Sequence, residues 1–410
     1  MRILLVNKFH YLKGGSEKYY FELANLLKEK GHQIAFFSMR NDKNIKTGEK
    51  EYFVEEIDLN TGSKLKALDV IYSKENKKKM TETLEDFKPD IVHINNFQRQ
   101  LSESIIEAIK EKNIPIVFTA HDLEAVCPNK TMLDENKNIC ELCKNGNYIN
   151  CIKKKCIKSS LLKSILGAVE TKYYRNKKVY TKKIDKIVTP SKFYKKQLID
   201  YGVDENKIIA MPNFLDIDKY NIETRDDGYA LYFGRLSKEK GILNLLEAFS
   251  YIENQKLYIA GDGPEKEKIE KIIKDRHLEN NVKLLGFLNE KEMQEAIANS
   301  KFVVLPSIWY DNCPYSILET LTIGKPVIGS DIGGIPELVK NKQNGLIFKH
   351  DDIRELEEKM KLLFENNELV EEYSKNAKKI AQKEYSKEEY YNKMIKIYED
   401  VLGDRKWAID

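Results

Sequence analysis

Short apolar runs alternate along the chain with longer segments whose apolar residues recur at helical spacing. This alternation is typical of parallel α/β sheets, in which buried strands read as continuous apolar runs. In the segment after the first run, Tyr20, Leu23 and Leu27 recur at helical spacing, and Gly31 suits the C-terminal stop. The pattern predicts strands at Ile3–Val6, Gln33–Ser38, Asp90–Ile94, Pro115–Ala120, Lys186–Thr189, Tyr229–Phe233, Lys256–Ala260, Val282–Leu285, Phe302–Leu305 and Pro326–Gly329.

These runs fall into two sets, which indicates two domains. A chain of 410 residues is too long for one ordinary core and suits two domains of about 200 residues each. The first set ends near Pro212, the second begins near Gly228, and the polar stretch between them predicts a linker. We therefore expect an α/β fold with two doubly wound, Rossmann-like domains facing across a cleft. Ligands of such sheets bind beyond the carboxyl ends of the strands, so the loops after strands are the candidate sites.

The most informative segment is Trp309–Val339, which follows a predicted strand. Pro314 stands where a helix should start, and proline is favoured in the first helical turn. Asp311 and Glu319 lie in the loop before this helix and in its second turn, and two carboxylates flanking an anion-binding helix end suit a phosphate ligand that carries sugars. An ordinary amphipathic helix with a solvated Glu319 is the alternative. The amides expected to point at the anion belong to Tyr315, Ser316 and Ile317.

Three further loops favour the same kind of ligand. Arg235 and Lys240 lie in FGRLSKEKG, where they could neutralise a diphosphate, arginine as a fork and lysine as a point charge. The loop GDGP, Gly261–Pro264, allows a backbone to approach a ligand closely, although it is not a full G-x-G-x-x-G. Gly14 and Gly15 follow the first strand and allow phosphate approach, with a plain turn as the alternative.

In this order along the chain, the motifs resemble the retaining glycosyltransferases of family 4 (glycosyl transferases group 1), which have the GT-B fold. The resemblance covers nearly the whole chain and is carried by FGRL-x-x-x-K-G, GDGP, the pair Gly286-Phe287, the Asp311-x7-Glu319 spacing, GKPVIGSDIGGIPELV and GLIF. It implies an acceptor-side domain at 1–213, a donor domain at 214–385, and a final helix at about 386–402 that packs back on the first domain. Where the family has its first Glu, this chain has Asp311, shorter by about one C–C bond, ~1.5 Å, which leaves the preferred sugar open.

The resemblance also implies a role for each matching residue. Arg235 and Lys240 would bind the donor diphosphate, Glu319 the ribose hydroxyls, Asp311 the donor sugar and Gly15 the diphosphate through its backbone. Gly286-Phe287 would line the base pocket, and His121, at the end of a strand, would face the donor sugar. A structural His121 is the alternative. The expected catalytic residues are His121, Asp311, Arg235 and Lys240, and the expected donor-binding residues are Gly14, Gly15, Gly234, Gly261, Gly263, Gly286, Phe287, Pro314, Tyr315, Ser316, Ile317 and Glu319.

The resemblance implies a hexosyltransferase that transfers sugar from a UDP- or GDP-sugar to a saccharide or lipid-linked acceptor in surface polysaccharide or glycolipid assembly. Fixed cations and helix amides can stabilise the leaving diphosphate, so we expect no metal requirement. The one D-x-D match, Asp216–Asp218, is read as a turn or helix start. The alternatives are a nucleotide-sugar epimerase of the same architecture and a non-catalytic sugar-nucleotide-binding scaffold. A dehydrogenase is disfavoured because a full G-x-G-x-x-G is missing after the first strand.

Five of the six cysteines fall in an insertion at 127–158 that begins just after His121. Cys140-x2-Cys143 with Cys151-x4-Cys156 could supply a structural zinc site of four thiolates. Cys127 makes that set ambiguous, and reduced structural thiols or a redox function are the alternatives.

The net charge of +4 hides a strongly basic segment. Between Cys151 and Lys196, 15 Lys or Arg stand against the two acids Glu170 and Asp185, a local excess of +13. The excess predicts either a solvated face or contact with an anionic membrane surface or acidic acceptor; no groove-reading motif points to nucleic acid. The start, MRILLVNKF, is too short for a signal-peptide core, and no run nears the ~20 apolar residues of a membrane span. We therefore expect a cytoplasmic protein, and peripheral contact with the inner face of the plasma membrane is the membrane interpretation of the basic segment.

Overall fold

The computed structural model describes residues 1–57 and 68–406. They separate into two compact units, Met1–Pro212 with Tyr390–Asp410, and Asn213–Glu389. Each unit is a parallel sheet flanked by helices, which is the architecture predicted from the alternating pattern. Two Rossmann-like sheets result.

The first unit contains a seven-stranded parallel sheet in the order β3-β2-β1-β4-β5-β6-β7. Its order reverses between β1 and β4, which defines the point where ligands bind in such sheets. The strands are β1 (Arg2–Asn7), β2 (Gln33–Met39), β3 (Lys50–Val54), β4 (Ile91–Asn96), β5 (Ile116–Thr119), β6 (Lys186–Thr189) and β7 (Ile208–Ala210). The helices are α1 (Gly15–Glu29), α2 (Lys74–Phe87), α3 (Ser104–Glu111), α4 (Ile149–Lys153), α5 (Leu161–Asn176) and α6 (Lys192–Asp200).

The second unit contains a six-stranded parallel sheet in the order β10-β9-β8-β11-β12-β13, the Rossmann order with its reversal between β8 and β11. Its strands are β8 (Tyr229–Phe233), β9 (Lys256–Ala260), β10 (Val282–Gly286), β11 (Phe302–Leu305), β12 (Val327–Ser330) and β13 (Gly345–Phe348). Its helices are α7 (Ile242–Phe249), α8 (Lys266–Asp275), α9 (Glu290–Asn299), α10 (Tyr315–Ile323), α11 (Ile335–Leu338), α12 (Ile353–Glu365) and α13 (Asn367–Glu384). A last helix, α14 (Lys387–Lys406), joins the first unit from Tyr390.

Every predicted strand lies on an observed one, and three observed strands were missed. The missed strands β3, β7 and β13 are all at sheet edges. An edge strand has one neighbour instead of two and need not be a long apolar run. In β3 the first four residues are exposed or half-buried, which explains why the apolar pattern did not mark it.

Helix α14 is held against the first sheet by hydroxyl groups. Tyr390 Oη lies 2.5 Å from Tyr19 Oη, and Tyr398 Oη lies 2.5 Å from His93 Nδ1. His93 Nε2 in turn contacts Thr119 Oγ1 at 2.8 Å. All of these side chains are buried, and a buried hydroxyl without a partner would cost about 1–3 kcal/mol. The polar pairs therefore fix the position of the helix, in addition to its apolar contacts.

Candidate functional site

The reversal point of the second sheet brings three predicted loops together. The loops after β8 and β11 carry Arg235, Lys240 and Asp311, and the two strands are neighbours in the sheet. The loop after β9 contacts the loop after β8, because the amide of Leu236 donates to the carbonyl of Asp262 at 2.9 Å. Parallel strands end at one edge, so their loops collect there.

Two glycines permit this close approach. Gly241 has a φ of +71°, and a Cβ there would lie 1.7 Å from the carbonyl oxygen of Pro306. Gly261 has a φ of +131°, and a Cβ there would lie 1.9 Å from the carbonyl oxygen of Gly234. Side chains at either position would separate the loops. Gly263 is similar, with a Cβ position 2.3 Å from the carbonyl oxygen of Leu236. These glycines serve the packing of loop against loop in this structure.

Lys240 and Asp311 form the central ion pair of the site. Lys240 Nζ lies 2.5 Å from Asp311 Oδ2, and Ser307 Oγ donates to the same carboxylate oxygen at 3.1 Å. The ammonium also lies 5.3 Å from the centre of the Trp309 ring. Asp311 is 7% exposed, so its charge is desolvated and needs this partner. The pair positions a cation and a carboxylate side by side at the switch point.

Arg235 differs from Lys240 because its guanidinium is exposed. Over residues 1–57 and 68–406, no carboxylate lies within ion-pairing distance of it. Its backbone is held instead, since Tyr232 Oη donates to the Arg235 carbonyl at 2.9 Å. Arg235 therefore presents a planar cation to solvent from a fixed backbone, beside the loop that carries Lys240.

Helix α10 begins one residue later than predicted. It starts at Tyr315, and Pro314 is its N-cap with an extended conformation, so Pro314 is not within the first helical turn. The amide of Ile317 donates to the Pro314 carbonyl at 3.1 Å, which corrects the expectation that this amide points at an anion. No described residue accepts a hydrogen bond from the amide of Ser316, as expected for the first turn of a helix.

Glu319 lies in the second turn of α10, as its spacing predicts. Tyr220 Oη donates to Glu319 Oε1 at 3.3 Å. Tyr220 ends a short 3-10 helix whose N-cap is Asp216, so the D-x-D match is the helix start that the sequence predicted. Asp216 Oδ2 is paired with Lys387 Nζ at 3.3 Å.

Gly286 and Phe287 stand at the carboxyl end of β10. The Phe287 ring is 83% exposed, the highest exposure among the large apolar side chains described. The Gly286 carbonyl accepts from the amide of Gly261 at 2.7 Å, which joins this turn to the GDGP loop. An exposed aromatic ring on a fixed turn offers a stacking surface.

In the first unit, Gly15 begins α1 and Gly14 is its N-cap. Both glycines are exposed in the described part of the chain. Glu17, in the first turn, is buried and accepts from Ser16 Oγ at 2.9 Å. The helix start thus has an accessible backbone on an otherwise fixed turn.

His121 follows β5, near the same edge of the first sheet. Its Nε2 donates to Asn95 Oδ1 at 3.0 Å, and the Tyr19 ring lies edge-on with ring centres 4.6 Å apart. Burial lowers the pKa of His121 to about 3. Burial and the neighbouring His121 also lower the pKa of His93 to about 3. Both imidazoles are therefore neutral at physiological pH.

With this geometry established, comparison with known proteins identifies the family. Residues 13–219 match the model of Glycosyltransferase Family 4, and residues 215–380 match that of Glycosyl transferases group 1. The chain belongs to glycosyltransferase family 4.

Among its relatives, the alpha-D-kanosaminyltransferase of Streptomyces kanamyceticus is 28% identical over 188 residues, 45% of this chain and 48% of that protein. The N-acetyl-alpha-D-glucosaminyl L-malate synthase of Bacillus anthracis is 22% identical over 401 residues, 96% of each. Anabaena HepE, solved in complex with UDP, matches with a TM-score of 0.71 and 17% identity over 98% of this chain and 100% of that chain. The matched region thus covers about half the length of the first relative and nearly all of the second. The glycosyltransferase has the GT-B fold.

The five insertion cysteines of this glycosyltransferase line one small cavity, and Cys127 lies there with the four predicted zinc ligands. All six cysteines are free thiols. Burial raises the pKa of Cys127 to about 12 and that of Cys143 to about 11, so both favour the protonated form. Across 1–57 and 68–406, no three His, Cys, Asp or Glu side chains are arranged to hold a metal ion. The four-cysteine zinc set stays a prediction.

A buried ion cluster in the first unit was missed by the sequence reasoning. Arg99 Nε lies 3.1 Å from Glu124 Oε1 and 3.7 Å from Glu170 Oε2. Lys8 Nζ adds a contact to Glu124 Oε2 at 3.8 Å. Three of these residues follow neighbouring strands: Lys8 after β1, Arg99 after β4 and Glu124 after β5. This placement is the one sequence signal that could have predicted that their side chains lie close together. The cluster ties the loops after β1, β4 and β5 together, and Arg99 also donates to the Pro128 carbonyl in the cysteine insertion at 2.6 Å.

Proposed function

We propose that this glycosyltransferase moves a hexose-type sugar from a UDP- or GDP-sugar to a hydroxyl acceptor, with retention of the anomeric configuration. Its role would be in surface polysaccharide or glycolipid assembly. The observation that carries the proposal is the arrangement of Lys240, Asp311 and exposed Arg235 at the switch point of the second sheet. Two cations beside a carboxylate suit a ligand with a diphosphate next to a polyhydroxylated ring.

The donor diphosphate would sit between Arg235 and Lys240. Arginine can bind two phosphate oxygens at once, and lysine adds a compact positive charge. The Lys240 ammonium already lies against Asp311, so a bound diphosphate would share this cation with the carboxylate. The amide of Ser316, at the start of α10, adds a donor of the kind that binds phosphate at helix N-termini. In the first unit, the exposed backbone of Gly15 would offer a further contact.

The transfer itself breaks one bond and forms one. The bond between the sugar C1 and the β-phosphate oxygen breaks, and the acceptor oxygen bonds to C1 on the same face. The acceptor hydroxyl loses its proton to the departing phosphate oxygen, so no protein nucleophile is required. Negative charge develops on the leaving diphosphate, where Arg235 and Lys240 would stabilise it without reorganising. We propose that these cations serve in place of a dedicated metal ion.

The remaining residues would orient the donor. Asp311 would accept hydrogen bonds from sugar hydroxyls through its second oxygen, while Oδ2 stays on Lys240. Glu319 would bind the ribose hydroxyls with Tyr220 fixing one of its oxygens, and the exposed Phe287 ring would stack on the base. A neutral His121 suits a hydrogen bond to a sugar hydroxyl, since it adds no positive charge that would compete for the diphosphate.

The names of the relatives agree with this chemistry. The kanosaminyltransferase is named for the transfer of a sugar, the synthase for a product in which a glucosaminyl group is joined to malate, and HepE was crystallised with UDP. These names support a sugar-nucleotide donor.

The test is to follow the donor by proton NMR at early times, with a panel of UDP- and GDP-hexoses, with and without EDTA. For an α-linked donor we expect the first sugar released, to an acceptor or to water, to have the α configuration, at an unchanged rate in EDTA. A β product would contradict retention. Inversion at a ring carbon without release of the nucleotide would indicate an epimerase, and binding without turnover a scaffold.

A further inference from the structure

Helix α5 exposes an apolar stripe on the first unit. Leu161, Leu162, Ile165 and Val169 are 48%, 78%, 38% and 47% exposed, and their spacing puts them on one side of the helix. We call these four residues the α5 face. The described chain has twelve large apolar side chains with comparable exposure, and four of them lie in these nine residues. The exposure is therefore concentrated in one place.

The opposite side of the same helix packs into the unit. Ala168 and Tyr174 are buried, and Gly167 is so close to Ile157 that a Cβ would lie 2.4 Å from its side chain. A surface helix of a globular protein normally has one apolar side and one polar side. An apolar stripe on the outer side as well marks a surface that another apolar phase covers.

Exposed lysines border the α5 face at both ends. Lys153, Lys155 and Lys158 precede it and Lys172 follows it, all solvent-exposed. In the part of the chain that the structure describes, none of the four has a carboxylate within ion-pairing distance. Both acids of the basic segment are engaged elsewhere: Glu170 is buried against Arg99, and Asp185 pairs with Lys110 at 3.1 Å. The positive charge around the stripe is therefore uncompensated by its own segment.

We infer that the α5 face, with its bordering lysines, docks this glycosyltransferase on an anionic lipid bilayer. An apolar stripe ringed by lysines matches a membrane interface, where side chains such as leucine enter the acyl boundary and lysines reach the headgroups. The excess positive charge opposes pairing with a second copy through the same face, because like charges would meet. The structure has no described helix that is long and apolar enough to cross a membrane, so the contact is with the surface. The inference is independent of the proposed donor chemistry.

Vesicle sedimentation with the full chain tests this docking. We expect binding to phosphatidylglycerol-containing vesicles at low salt, weaker binding to pure phosphatidylcholine, and release as salt screens the lysines. Each lysine near an anionic surface contributes ~1 kcal/mol, so Lys155→Glu should weaken partitioning by about fivefold or more. The double variant Leu162→Asp, Ile165→Asp, made in the wild-type chain, should lose most of the binding to anionic vesicles. A circular-dichroism melt should show that this variant is folded at the assay temperature, a check that is needed because Ile165 is only 38% exposed.

The matched control is Leu362→Asp, a leucine with 41% exposure on α12 of the second unit, which should bind vesicles like the wild type. Failure of the wild type to bind anionic vesicles at low salt would overturn the inference. So would equal binding by the Leu162→Asp, Ile165→Asp variant. A dimer in light scattering that this variant abolishes would also overturn it, since a second copy would then be the occupant.

Discussion

Lys240→Ala is expected to lower kcat for sugar transfer by about 10²–10³-fold, the loss seen when one fixed donor to a developing oxyanion is removed. Lys240 Nζ is the nearest described cation to Asp311, and no second lysine occupies that position. The loss should fall mainly on kcat, because the charge on the diphosphate grows as its bond to the sugar breaks. Initial rates at saturating donor give the comparison.

Two controls separate chemistry from folding in this experiment. Lys238→Ala removes an exposed lysine from the same helical turn and should keep kcat within about twofold. Lys240→Ala also leaves the 7%-exposed carboxylate of Asp311 without its ion partner, which destabilises the unit. The double variant Lys240→Ala, Asp311→Asn relieves that charge. If the double variant folds like the wild type and recovers full activity, Lys240 serves only to neutralise Asp311, and its assignment to the diphosphate is wrong.

Gly241→Ala is expected to cost the second unit about 3 kcal/mol or more of unfolding free energy. The new Cβ would lie 1.7 Å from the Pro306 carbonyl oxygen, so backbone has to move rather than a flexible side chain. Overpacking of this kind costs about 1–3 kcal/mol, and the left-handed φ of +71° adds about 1–2 kcal/mol for a non-glycine residue. Denaturant unfolding followed by circular dichroism measures the difference.

Gly228→Ala is the matched control for this substitution. Gly228 has a φ of +75° in the same unit, and nothing lies within 4 Å of its Cβ position. Gly228→Ala should lower the unfolding free energy only by the cost of a left-handed backbone at a non-glycine residue, about 1–2 kcal/mol. The difference between the two variants isolates the contact with Pro306. Equal losses would show that the loops after β8 and β11 can separate freely, and the close packing described for the site would then be wrong.

Most of the fold could be predicted because parallel strands buried on both faces must be apolar runs. Residues Ile3 to Val6 and Ala230 to Tyr232 are fully buried, and the sequence pattern marked both. The edge strand β3 was missed because its first four residues are exposed or half-buried, and β7 because its apolar run is only three residues long. Chain length predicted two domains, since a single core does not grow to this size. The linker prediction was wrong, because the stretch after Pro212 belongs to the second unit and its Tyr220 is buried there.

The site was predicted less completely, because residues that meet in space can be far apart in sequence. The motif order placed Lys240 and Asp311 in loops after strands, but their ion pair needed the strand order β8 beside β11. Tyr220, which holds Glu319, stands 99 residues before it, and no local pattern links the two. The Ile317 amide was misassigned because the first turn closes with an i→i−3 bond to the Pro314 carbonyl, which satisfies an amide that a regular α-helical turn would leave free.

The same limit applies to the cysteines and the buried histidines. Spacing grouped Cys140, Cys143, Cys151 and Cys156, but side-chain directions decide whether thiols converge, and spacing does not fix them. His93 lies in the middle of a strand, outside every motif of the sequence, although it carries the contact to Tyr398 in the last helix. A histidine in an apolar run is a signal that could have pointed to it, because a buried imidazole needs partners.

Calorimetric titration of UDP and of GDP into the wild type and Arg235→Ala tests the donor site most directly. We expect one of the two nucleotides to bind the wild type and to bind Arg235→Ala about 10–100-fold more weakly, since a hydrogen bond to a charged group contributes about 1.5–3 kcal/mol. Lys256→Ala, an exposed lysine at the opposite end of β9, should bind like the wild type. If neither nucleotide binds at millimolar concentration, or if Arg235→Ala binds as tightly as the wild type, the donor site is not where we place it.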